Sequence, residues 1–122
     1  MKHDVIFALG TNSGKENIKK AQTVLQREFQ DLKFSDIVPT DPIGIIFQRT
    51  TFYNTLANGT TSKDVAEVIR TLKLIEKECG DSRELRQNGT VVLDVDLLKF
   101  DECIFHEKDW NRKYIRELMS NM

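Results

Sequence analysis

Asp94 and Asp96 are the residues of this chain best placed to do chemistry. They interrupt the run Val91-Val92-Leu93-Asp94-Val95-Asp96-Leu97-Leu98, whose other members are all β-branched or aliphatic. Such a run reads as a buried strand. Residues i and i+2 of a strand share a face, so the two carboxylates point together while Leu93, Val95 and Leu97 point the other way. Neighbouring carboxylates repel each other and cost free energy unless a cation lies between them. A hard divalent ion such as Mg²⁺ takes one or two carboxylates and completes its shell with water and substrate phosphates. A magnesium–nucleotide site is the chemical reading of the pair. An edge strand with a solvated acidic face is the alternative.

The whole chain sets bounds on that choice. Its 122 residues, 39% hydrophobic and 30% charged, predict one soluble globular domain spanning 1–122. A net charge of −1 argues against non-specific nucleic-acid binding and against a membrane surface. No apolar run approaches the roughly 20 residues of a transmembrane helix. Met1-Lys2-His3-Asp4 has no signal-peptide pattern. Cys79 and Cys103 lack metal-ligand spacing and read as reduced thiols of a cytoplasmic protein. Glycosylation at Asn58 and Asn88 is then not expected.

Six segments must position the acidic pair. Val5 to Leu9 predicts a buried first strand ended by Gly10. Gly10-Thr11-Asn12-Ser13-Gly14-Lys15 has one residue too few between its glycines for a Walker A loop, and Glu16 follows the lysine. Ile18, Ala21, Gln22, Leu25 and Phe29 have helical spacing over 15–30. Phe34, Ile37 and Val38 predict a short strand stopped by Pro39, and a loop should run from Pro39 to about Thr50. Phe52 to Ala57 predicts a strand ending at Asn58-Gly59, with Thr61 or Ser62 capping the next helix. That helix buries Val65, Val68, Ile69, Leu72, Ile75 and Cys79 and stops at Gly80. Asp81 to Thr90 reads as a flexible basic loop before the aspartate strand. Asp109 could cap a last short helix with Trp110, Tyr114, Ile115, Leu118 and Met119 on its apolar face. The order β-α-β-β-α-β predicts the ferredoxin-like split βαβ, an antiparallel sheet with helices packed on it.

Five short stretches occur in an order that resembles the 6-hydroxymethyl-7,8-dihydropterin pyrophosphokinases of folate biosynthesis. They are Ala8-Leu9-Gly10-Thr11-Asn12, Thr40-Asp41-Pro42-Ile43-Gly44, Phe52-Tyr53-Asn54, Ile75-Glu76 through Gly80 to Arg83, and Leu93 to Leu98. The resemblance implies transfer of a pyrophosphoryl group from ATP to the pterin hydroxymethyl, releasing AMP. Asp94 and Asp96 would be the catalytic metal ligands, holding two Mg²⁺ ions that bridge the ATP phosphates. Thr40, Pro42, Ile43 and Gly44 would lie on the pterin side, with Phe52 packing on the ring and Asn54 reading its polar edge. Glu76 and Arg83 would line the nucleotide site, and Arg83 would assist transfer. The implied partners are small molecules only. An RNA-binding sheet is a poor competitor, because the chain lacks an aromatic-and-basic pattern on its strands.

The chain also departs from the family. Arginines are usual where it carries Asp81 and Val91, an aromatic where it carries Asn88, and Pro-Pro where it carries Asp41-Pro42. The segment after the aspartate strand keeps only echoes, His106 for a histidine and Arg112 with Tyr114 for an Arg-x-Phe ending. Lys99, Arg86 and Arg112 are the cations that could replace the missing ones, Arg86 and Arg112 on the nucleotide side. An Asp81 carboxylate facing phosphate is expected to slow transfer, and Asp81→Arg with Val91→Arg to restore it. The alternative function is an impaired paralogue that binds a pterin-like or nucleotide-like ligand, or a protein, without transferring phosphate.

Overall fold

A computed structural model describes residues 1–29, 31–40 and 51–120. Its elements are β1 (His3–Thr11), α1 (Glu16–Glu28), β2 (Lys33–Phe34), β3 (Val38–Thr40), β4 (Phe52–Thr61), α2 (Val65–Glu78), α3 (Arg83–Gln87), β5 (Asp94–Phe100) and β6 (Cys103–Ile104). A 3₁₀ turn (Glu107–Asn111) and α4 (Lys113–Ser120) follow. The strands form one sheet in the order β2-β4-β1-β5-β6, with β3 also pairing β4, and every pair is antiparallel. This is the ferredoxin-like α+β arrangement.

The sheet buries both faces because its strands alternate two sets of apolar side chains. Val5, Phe7, Leu9, Ala57, Val95 and Leu97 face α1 and α2, where Ile18, Leu25, Val68, Leu72 and Ile75 complete the larger core. Leu56 and Leu98 face the other way and are covered by Ile115 and Leu118 of α4. Between β1 and β5 the register shifts at Ile6/Phe7, since Ile6 pairs Lys99 while Phe7 pairs Leu97. One extra residue in β5 bends that strand where it leaves the acidic pair.

Several local expectations give way to tertiary contacts. Pro39 does not end a strand but sits inside β3, at the sheet's margin, where a missing N–H donor is tolerated. Asn58-Gly59 is not a turn. It lies inside β4, and a Cβ on Gly59 would run into the carbonyl oxygen of Asp31. The second helix is capped by Asp64, which forms a reciprocal box with Glu67, rather than by Thr61 or Ser62. Ile69 is 41% exposed, and the helix buries Glu76 instead. The stretch expected as a flexible loop contains α3, capped by Ser82 Oγ on the Leu85 N–H. Asp109 lies within the 3₁₀ turn rather than capping α4.

Candidate functional site

The acidic pair opens into a cleft because its neighbours across the sheet are small. Asp94 pairs Gly10 and Asp96 pairs Ala8 on β1, while Gly10 in turn pairs Asn54 on β4. Asn54, Gly10 and Asp94 therefore form one row across three strands, on the face that α4 covers. A Cβ on Gly10 would approach Asn54 Oδ1 to 3.3 Å, so glycine keeps the middle of the row clear. The resulting cleft, about 270 Å³, has Phe52 and Asn54 at one end and Arg86, Asp94 and Asp96 at the other, with Arg112, Tyr114 and Ile115 forming a wall.

Asn54 is buried and donates from Nδ2 to Thr40 Oγ1 at 2.8 Å. That bond fixes the amide plane, and it gives Thr40 a positioning part outside the cleft lining. Phe52 is half-buried on the same face as Asn54. Pro42, Ile43 and Gly44 lie outside the described residues.

At the acidic end, burial and then the charge of Asp94 push the Asp96 carboxyl up to about 7. Glu76 is buried beneath the pair, where its Oε2 accepts the Val95 N–H at 2.8 Å. Burial is also the main reason its pKa is raised. The resemblance puts Glu76 on the nucleotide side; here it is buried and ties the end of α2 to β5. Among the described residues no group of three or more carboxylate, histidine or cysteine side chains is arranged to hold a metal. Two oxygen-donor carboxylates fit Mg²⁺, which shares its shell with water and phosphate, and do not fit a closed zinc site.

Asp81 does not face the cleft as a free anion, contrary to the expectation drawn from its sequence position. Its side chain is 7% exposed. Oδ1 accepts the N–H groups of Val92 and Leu93 at 3.0 and 3.3 Å, and Oδ2 accepts from Arg86 Nε at 2.6 Å. Arg86 then reaches Leu93 O at 3.0 Å and Asp94 Oδ1 at 3.3 Å through Nη2. Arg83 is exposed on α3, and neither it nor Lys99 lines the cleft. Arg112 does line it, with Nε 3.3 Å from Asp109 Oδ1. Tyr114 stands beside it, its phenol pKa raised by burial.

Two contributors belong to stretches that the resemblance touches, but their parts were not legible. Asn12 holds the segment before β5, accepting from the Val91 N–H at 2.7 Å and donating from Nδ2 to Gly89 O at 2.8 Å. The Asn after the first strand was visible, but its partner 79 residues away was not. His106 takes a left-handed backbone, φ 52°, which brings Nε2 to 3.8 Å from Asp96 Oδ1. It borders a smaller groove, about 190 Å³, formed by Ile69, Leu72, Lys73, Val95, Leu97 and Phe105 on the other side of Asp96.

The pattern of the 7,8-dihydro-6-hydroxymethylpterin-pyrophosphokinase family matches residues 6–122. A folate synthesis bifunctional protein of Arabidopsis thaliana is 29% identical over 123 residues, which are 92% of this chain and 25% of that protein. A mitochondrial folate synthesis bifunctional protein of the same plant is 29% identical over 124 residues, 93% of this chain and 22% of its own. The chain spans about a quarter of the length of these relatives.

Proposed function

The chain belongs to the 7,8-dihydro-6-hydroxymethylpterin-pyrophosphokinase family, and on that premise we propose that it transfers a pyrophosphoryl group from ATP to the hydroxymethyl of that pterin. The observation that carries this reading is the row Asn54–Gly10–Asp94, which joins an amide suited to a heterocycle to a carboxylate suited to a metal–phosphate. In the reaction the hydroxymethyl oxygen bonds the β-phosphorus of ATP and gives up its proton to solvent. The bond from that phosphorus to the oxygen it shares with the α-phosphorus breaks, and AMP leaves with that oxygen. Two Mg²⁺ ions held by Asp94 and Asp96 would offset the charge on the phosphate chain.

The rest of the work falls to the protein's own residues. Phe52 and Asn54 orient the ring, with Thr40 fixing the amide. Pro42, Ile43 and Gly44 belong to the pterin side by family pattern. Glu76 holds β5 at the height that puts both aspartates in the cleft. Among the described residues, Arg86 and Arg112 are the cleft-lining cations available to phosphate. The groove of Ile69, Leu72, Phe105 and His106, with Lys73 at its rim, fits the flat apolar base of the nucleotide.

One observation favours the second reading, binding without transfer. Both cleft arginines already face carboxylates, Arg86 those of Asp81 and Asp94, Arg112 that of Asp109. A cation neutralised by the protein gives less help to a developing phosphate charge. Calorimetric titration with Mg²⁺ and a non-hydrolysable ATP analogue tests the nucleotide half of the proposal. Binding should be lost in Asp94→Asn and Asp96→Asn, and unchanged affinity in both would overturn it.

A further inference from the structure

Arg86 is the hub of the acidic end. One guanidinium lies 2.6 Å from Asp81, 3.3 Å from Asp94 and 3.7 Å from Glu76, and it also donates to Leu93 O at 3.0 Å. These contacts are unequal in kind. Asp81 is a fixed anchor: its carboxylate is buried, it accepts two backbone N–H groups, and its own N–H donates to Glu76 O at 3.0 Å. Asp94 is 36% exposed at its side chain and lies in the cleft. The Nε end of the guanidinium is thus clamped, while the Nη2 end sits on the very carboxylate assigned to the metal.

A divalent ion on Asp94 and the Nη2 group cannot share that oxygen without strong like-charge repulsion at close range. Because Nε keeps its bond to Asp81, the guanidinium need not leave the site; it has only to turn about that bond. Turning would break the Nη2 bond to Leu93 O together with that to Asp94, and would leave Nη2 free for the phosphates that arrive with the ion. Resting on the metal reading of Asp94 given above, we propose that Arg86 is a hinged cation. Asp81 is its positioning residue, the guanidinium and a divalent ion compete for Asp94, and the displaced arm becomes a phosphate ligand. This gives the sequence's Asp81 a use that its charge alone conceals.

The proposal makes opposite demands on two ligands. Arg86→Met keeps much of the side-chain stem and removes the competitor. It should tighten binding of Mn²⁺ alone, followed by electron paramagnetic resonance, by roughly fivefold. The same variant should weaken binding of the Mn²⁺ complex of a non-hydrolysable ATP analogue by about tenfold or more. Arg86→Lys should recover part of the nucleotide affinity, since it restores charge without the anchored fork. A merely structural arginine would weaken both ligands together, so parallel losses in Arg86→Met overturn the hinge. If Arg86→Met does not fold, Arg86→Lys alone decides. Mn²⁺ affinity equal to wild type or tighter, with weaker analogue binding, supports the hinge; parallel losses of both overturn it. If wild type binds Mn²⁺ through Asp94 and Arg86→Met leaves both affinities unchanged, the hinge fails and the metal site stands. If neither wild type nor Arg86→Met binds Mn²⁺ alone, there is no competition for Asp94 and the hinge fails; if neither binds the Mn²⁺–analogue complex, the metal reading itself falls.

Discussion

Asn54 on β4 and Asp94 on β5 flank Gly10 of β1 in a single row across the sheet. Two strand spacings separate them, about 10 Å, with no side chain between. A two-ring heterocycle held at Asn54 can therefore direct its hydroxymethyl arm toward a phosphate held at Asp94. The small residues Ala8 and Gly10 matter as much as the polar ones, because they make the floor.

Gly10→Ala should consequently impair pterin binding. Its methyl would crowd Asn54 Oδ1 and tilt the amide that Thr40 holds. Asn54→Ala removes that amide and should cost about 1–3 kcal/mol of pterin affinity. Both are measured by calorimetry with an ATP analogue present. Equal pterin affinity in wild type and Asn54→Ala would contradict the assignment.

Asp81→Asn should destabilise the fold by about 1–3 kcal/mol, read as a lower denaturation midpoint, because Arg86 loses a buried charged partner. Asp81→Arg should be worse, adding a second cation beside the first and stranding two backbone N–H groups. This reverses the gain expected for that substitution from sequence. Val91→Arg alone remains a route to more charge, since Val91 lines the cleft. It should raise AMP formation without the stability loss.

Acid should protect the metal-free fold. The Asp96 carboxyl titrates at about 7 when folded, against 3.8 for the ordinary group. Between those values the folded chain binds more protons than the unfolded one, so stability falls as pH rises. Glu76, also raised, adds in the same direction. Mg²⁺ must displace the Asp96 proton, so its stabilising effect should grow with pH. Thermal denaturation from about pH 5.5 to about pH 8, with and without Mg²⁺, tests both trends. A melting temperature that rises with pH in the absence of metal would contradict the half-buried, mutually repelling pair.

Gly59→Ala should lower stability by about 1–3 kcal/mol, since the added methyl meets the Asp31 backbone with no room to relax. A normal denaturation midpoint in that variant would contradict the close packing of β4 against the chain entering β2.

The contrast between Gly59 and Gly10 explains what the sequence could and could not disclose. Strands, the two long helices and the face shared by Asp94 and Asp96 follow from periodicity, which is local, and they read correctly. Asn58-Gly59 carries a turn signal, but its glycine answers to a backbone 28 residues earlier in sequence, so propensity misleads. Asp81 read as a misplaced anion for the same reason. Its partners, Arg86 and the N–H groups of Val92 and Leu93, are set by how α3 folds back on β5. The burial of Glu76 is not legible either, because nothing local reveals that β5 presents an N–H to it. Charge and spacing identify the acidic pair; only the packing says which cation attends it.

Release of AMP is the most direct test of the central claim. Purified chain, hydroxymethyldihydropterin, ATP and Mg²⁺ should yield AMP and pyrophosphorylated pterin in equal amounts. Asp94→Asn and Asp96→Asn should each reduce the rate by about a hundredfold or more. Folded wild-type protein that binds both substrates yet forms no AMP would contradict pyrophosphoryl transfer and leave ligand binding as the function.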